Sequence, residues 1–92
     1  MSGINIRLSI YGTGSPKTKD EPFEVGEGES VLELLQRLDS LDMLPKRFGK
    51  EKSYQDLLVF VNHKNVASGV GFKQKLFEAE DKVLIVQAVA GG

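Results

Sequence analysis

A chain of 92 residues with net charge −1, built from 12 lysines and arginines and 13 acidic residues, has the length of one domain and buries roughly 60% of its unfolded surface on folding. The absence of cysteine excludes disulfides, thiolate nucleophiles and zinc–thiolate sites, and a single histidine makes a histidine metal centre improbable. The interleaved charges argue against a nucleic-acid footprint, no apolar run approaches the ~20 residues of a membrane span, and no secretion signal opens the chain, so a soluble cytoplasmic protein is expected.

Residues 4–11 alternate apolar and polar side chains, with Ile4, Ile6, Leu8 and Ile10 on one face, the pattern of a half-buried strand. Gly12, Gly14 and Pro16 break it, and a polar stretch through Lys17, Lys19 and Asp20 leads to a short second strand at 23–25; the pair is expected as a hairpin with a long, mobile loop. Residues 26–30 lack the spaced glycines and lysine of a phosphate loop, and Glu27 and Glu29 would repel an anion, so they read as a turn. Ser30 and Glu33 fit a capping box, which predicts a helix from Val31 to about Asp39 or Leu41. Its apolar stripe is Val31, Leu34, Leu35 and Leu38, widened by Leu32.

Between 41 and 55 the signal weakens. Pro45 and Gly49 interrupt, while Met43, Leu44 and Phe48 predict an ordered excursion docked on the core. Lys46, Arg47, Lys50 and Lys52, interrupted by Glu51 and without an aromatic ladder, read as a solvated loop rather than a phosphate site, although an adenylating enzyme could still recognise it. Residues 57–61 form a β-rich run that turns tightly at 62–65 into a short strand at Val66 and Ala67. His63 in that turn has no second ligand or nucleophile beside it and is expected to be exposed. Residues 68–72 are expected as loop, Leu76 and Phe77 as its anchor, 78–81 as a turn and 82–86 as the last strand.

That strand leads into Val89, Ala90, Gly91 and Gly92. Glycine has no β-carbon, so such a tail can enter a narrow channel and leave its last carbonyl open to attack, although a frayed chain end has the same composition. From periodicity alone the order of elements says α+β. The stretch from Val61 to Val66, Leu76 with Asp81, Lys82 and Val83, and the last four residues resemble the matching parts of the MoaD/ThiS family of ubiquitin-like sulfur carriers, over nearly the whole chain. The resemblance implies a β-grasp, a mixed sheet packed on one main helix, in a single domain over residues 1–92 with a flexible tail from about 88 to 92.

It also implies a chemistry. An ATP-dependent adenylating enzyme converts the Gly92 carboxylate to an acyl-adenylate, and sulfur from a donor such as a cysteine desulfurase then leaves a thiocarboxylate. Gly91 provides clearance, and Val89 and Ala90 form the segment threaded into the partner. The carrier is then no enzyme on its own and binds neither metal nor cofactor, ATP being used by the activating partner. The chain length and the excursion resemble the small subunit of molybdopterin synthase, whose large subunit receives the sulfur. Gln87 and Ala88 stand where many such subunits have a proline pair, and the glutamine is similar to the thiamine carrier that serves thiazole synthase. His63 and Glu80 replace turn glycines of the family. Ubiquitin-like conjugation to lysines, and a binding module with an inert tail, remain as other classes.

Strand parity adds one expectation. If Val59, Val61, Val83 and Ile85 face the helix, Leu58, Phe60, Leu84 and Val86 emerge on the opposite face, where soluble sheets ordinarily carry polar residues. They are expected to form an apolar docking patch for the adenylating enzyme and the synthase large subunit, unless the excursion or a neighbouring loop covers them.

Overall fold

The computed structural model describes residues 3–12, 16–44, 54, 57–67 and 69–87. Among these the elements run β1 (Gly3–Tyr11), β2 (Pro16–Gly26), α1 (Val31–Ser40), β3 (Leu57–Val61), β4 (Lys64–Val66), α2 (Val70–Gln74) and β5 (Lys82–Gln87). The strands form one sheet in the order β2-β1-β5-β3-β4, with β1 and β5 parallel and every other neighbouring pair antiparallel. This is the β-grasp arrangement, and it makes the last described strand a central one.

The period-two pattern of the sheet and the 3.6 period of the helix meet in one core. Ile6, Leu8 and Ile10 of β1, Val83 and Ile85 of β5, and Leu57, Val59 and Val61 of β3 are buried in one cluster with Val31, Leu34, Leu35 and Leu38 of α1. The capping box forms as expected: the Glu33 amide donates to Ser30 Oγ at 3.2 Å, and the Ser30 amide donates to Glu33 Oε1 at 2.9 Å. At the other end of α1, Arg37 donates to the Glu24 carbonyl at 3.0 Å, pairs with Glu29 at 3.0 Å and lies over the Phe23 ring. The last turn of the helix is thereby tied to β2. Of the excursion, Leu44 and Tyr54 are buried in the same core and Met43 packs against it. Phe48, Pro45, Gly49 and the basic group of Lys46, Arg47, Lys50 and Lys52 lie outside the described residues.

Three expectations need correction. The second strand is not the short segment 23–25 after a long loop: β2 has 11 residues and pairs with β1 from Gly3 opposite Gly26 to Tyr11 opposite Pro16. It is an edge strand, held by backbone pairing rather than by an apolar stripe, so its polar sequence hid it. Its register shifts between Leu8 and Ile10, where Asp20 adopts φ 50° and its amide donates to Ser9 Oγ at 2.8 Å. Residues 70–72 of the expected loop instead belong, with Lys73 and Gln74, to the short helix α2, which opens at Gly69 with φ 75° and is anchored by buried Phe72. Such a helix is too short for an amphipathic repeat, so no sequence signal marks it. The strand after the turn is β4 at Lys64–Val66 rather than Val66 with Ala67, because the turn itself takes only Asn62 and His63.

That turn has φ of 53° at Asn62 and 72° at His63, the two positive angles of a type I′ hairpin. Asn62 also anchors the start of β5. Its Nδ2 donates to Asp81 Oδ1 at 2.9 Å, its Oδ1 accepts from the Lys82 amide at 2.9 Å, and its own amide donates to the Lys82 carbonyl at 2.8 Å. Asp81 is 6% exposed and accepts the Glu78 amide on its second oxygen at 2.8 Å. Both substituted turn glycines therefore carry left-handed backbone, Glu80 having φ 70°.

Candidate functional site: the open sheet face beside the end of β5

Helix α1 covers one side of the sheet, and the other side is ordered in rows by the strand registers. Nearest the end of β5, Tyr11, Val86 and Leu58 lie side by side. Behind them come Ser9, Leu84, Phe60 and Asn65, and then Arg7 beside Lys82. At about 3.3 Å per residue the first and third rows are ~13 Å apart. Leu58 is 42% exposed, and Tyr11, Phe60, Leu84 and Val86 are half-buried. All the residues of these rows but Leu58 and Asn65 line a groove of about 750 Å³, which Lys19, Asp20 and His63 also line.

The parity expectation holds: Val59, Val61, Val83 and Ile85 are buried, while Leu58, Phe60, Leu84 and Val86 share the opposite face. The anchors of the excursion that are described, Leu44 and Tyr54, belong to the helix-side core instead. Val89, Ala90, Gly91 and Gly92 lie outside the described residues. The strand that leads to them is described through Gln87, opposite Leu57 and directly beyond the apolar row.

The polar end is organised by Arg7 and Asp20. Arg7 Nε donates to Asp20 Oδ1 at 3.1 Å, and one terminal nitrogen donates to Asp20 Oδ2 at 3.0 Å and to the Asp20 carbonyl at 2.8 Å. These hydrogen bonds, and then the charge, hold the Asp20 carboxyl below its usual range and raise Arg7 further. The bulge in β2 makes this possible, since its left-handed residue re-aims the Asp20 side chain. Sequence reasoning missed Arg7, Tyr11 and Asp20. Continuing the β1 alternation to its polar face would have found the first two, whereas a bulge leaves no trace in hydropathy.

Among the described residues no group of three His, Asp or Glu side chains could hold a metal, and no helix is long and apolar enough to cross a membrane. His63 is exposed, as its turn position implied.

The model of the ThiS family matches residues 9–92, a span that includes all of the sheet but the start of β1 and runs through the glycine pair. The chain belongs to the ThiS family. It is thus a ubiquitin-like sulfur carrier of the MoaD/ThiS type, and the β-grasp topology agrees with that membership. ThiS family carriers are not enzymes themselves; they work with adenylating enzymes and synthase partners. No curated protein matches the chain.

Proposed function

We propose that this ThiS family carrier loads sulfur on the carboxylate of Gly92 and delivers it, as the small subunit of molybdopterin synthase, to a pterin precursor held by the large subunit. The observation that carries the loading step is the family match extending through Gly91 and Gly92, four and five residues after the end of a central strand at Gln87. The adenylating partner uses ATP to form the acyl-adenylate and releases pyrophosphate, which makes a poor electrophile reactive. A persulfide on a cysteine desulfurase or an equivalent donor then attacks the carbonyl and AMP departs, leaving an acyl disulfide; a thiol reductant cleaves its S–S bond, and the thiocarboxylate remains. Gly91 leaves room for the attack, Val89 and Ala90 thread the channel, and the apolar rows of Leu58, Phe60, Leu84 and Val86 dock the partner protein beside it.

The excursion between α1 and β3 supports the molybdopterin assignment: Ser40 and Leu57 are joined by 16 intervening residues rather than a tight connection, and Leu44 and Tyr54 anchor that segment in the core. Gln87 at the end of β5 favours a second reading, the thiamine carrier. The two are separated by presenting thiocarboxylated protein to each acceptor system in turn, with intact mass as the readout. Return to the carboxylate mass with the synthase large subunit and its pterin precursor, but not with thiazole synthase and its substrates, is the expected result. The reverse pattern would assign the thiamine pathway.

A further inference from the structure

The far row of the open face brings like charges together. Arg7 and Lys82 are direct neighbours on parallel strands, and like charges placed side by side on a sheet face repel. Lys19, in the β2 bulge opposite Ser9, adds a third exposed cation to the groove lining, and His63 lines it as well. Among the described residues the groove contains one carboxylate to set against these, Asp20; Arg7 holds both of its oxygens, and Lys82 acts on it through charge alone. Glu80 and Glu21 act on Arg7 from outside the groove. Among the described residues neither Lys19 nor Lys82 has an ion-pair partner. Packing does not account for the arrangement, because both lysines are exposed and the core lies on the other side of the sheet.

We propose that Lys82 and Lys19 are charge-selecting residues of the docking face, and that the adenylating enzyme presents carboxylates to them beyond the apolar surface that meets Phe60 and Leu84. This rests on the reading of the open face as the docking surface and goes further by stating the partner's chemistry and its orientation. Apolar contacts lie nearest the end of β5, and the acidic contacts lie one to two residue rows away from it. The Asp20 pair fixes the Arg7 guanidinium, so among the described residues of the groove the two lysines are the cations without an ion pair. Such rim charges set partner choice and encounter rate more than raw affinity.

The test is Lys82→Glu, alone and with Lys19→Glu, in ATP-dependent activation by the cognate adenylating enzyme at low and high ionic strength. Lys82→Glu puts an acid beside both Arg7 and Asp20, so the urea midpoint is expected to stay nearly level, while KM for the carrier rises, roughly threefold for the single variant and about tenfold for the pair at low salt. The effect shrinks at high salt because exposed charges are screened. Lys64→Glu with Lys75→Glu changes the net charge equally on residues that do not line this groove, and its KM stays within about twofold of the parent. Lys19→Gln with Lys82→Gln gives an intermediate KM without adding acids. A face variant that behaves like the Lys64 and Lys75 control at both ionic strengths overturns the proposal. Phe60→Asp separates the two levels: if it alone raises KM, the face docks the enzyme and charge selection is refuted, and if it is also silent, the docking reading fails as well.

Discussion

Replacing Asn62 by alanine should loosen the strand that carries the tail, by an amount that follows from three losses. The hydrogen bond from Nδ2 to the Asp81 carboxylate, at 2.9 Å, involves a charged acceptor that is largely shielded from water, a class contributing ~1.5–3 kcal/mol. The bond from the Lys82 amide to Oδ1 adds ~0.5–1.5 kcal/mol, at the low end because water reaches that exposed residue. Alanine also tolerates the φ of 53° less well than asparagine, whose short polar side chain favours left-handed backbone. Taken together the expected loss is ~2–3 kcal/mol, against a total stability of ~5–14 kcal/mol for a domain of this size. Urea unfolding measures it as a lower midpoint with an unchanged slope. A double-mutant cycle with Asp81→Ala should give a coupling of ~1–2 kcal/mol, because the two residues share one network. A loss below ~0.5 kcal/mol, or strictly additive single changes, would refute the anchoring role.

His63→Gly should stabilise the fold by ~0.5–1 kcal/mol, since φ of 72° costs a side-chain residue more than glycine loses in unfolded-state entropy; a lower urea midpoint contradicts this. Ile85→Ala, which empties a fully buried position between β1 and β3, should cost ~2–5 kcal/mol in the same assay, and a cost under ~1 kcal/mol would mean the core is not centred there. Phe60→Asp should leave the urea midpoint nearly unchanged while weakening binding to the adenylating enzyme at least tenfold, about 1.4 kcal/mol; unchanged binding measured by calorimetry removes Phe60 from the interface. The Asp20 carboxyl should titrate below the usual carboxylate range by NMR and move up in Arg7→Met. Because its folded pKa is the lower one, the pair supports the fold at neutral pH, and that support disappears as acidification passes through the folded pKa. An Asp20 titration indifferent to Arg7 would contradict the pair's role.

How far the sequence could be read depended on whether each element is made by its own side chains or by its neighbours. Alternating Ile4, Ile6, Leu8 and Ile10, the capped stripe of α1, and the apolar run of β3 were all legible because burial imposes a period on them. Strand β2 was not, because an edge strand needs little more than backbone partners and its bulge follows no hydrophobic rule. Helix α2 was hidden by having one buried anchor, Phe72. At the site, the parity of β3 and β5 located Leu58, Phe60, Leu84 and Val86 correctly on the open face. Alternation puts Arg7 on the polar face of β1, but its partners could not be read, since they depend on which strands become neighbours: Arg7 meets Lys82 only through the parallel pairing of β1 with β5, and Asp20 only through the bulge. Topology of that kind entered through the family resemblance rather than through local pattern.

The most direct measurement is the intact mass of the protein after incubation with ATP, its adenylating enzyme and a sulfur donor, alongside a chain lacking Gly92. Exchange of one carboxylate oxygen for sulfur predicts a gain of ~16 Da in the full chain and none in the truncated one. No gain in the full chain, with an adenylating enzyme shown to be active, or an equal gain in both chains, would contradict the assignment of Gly92 as the sulfur-bearing residue.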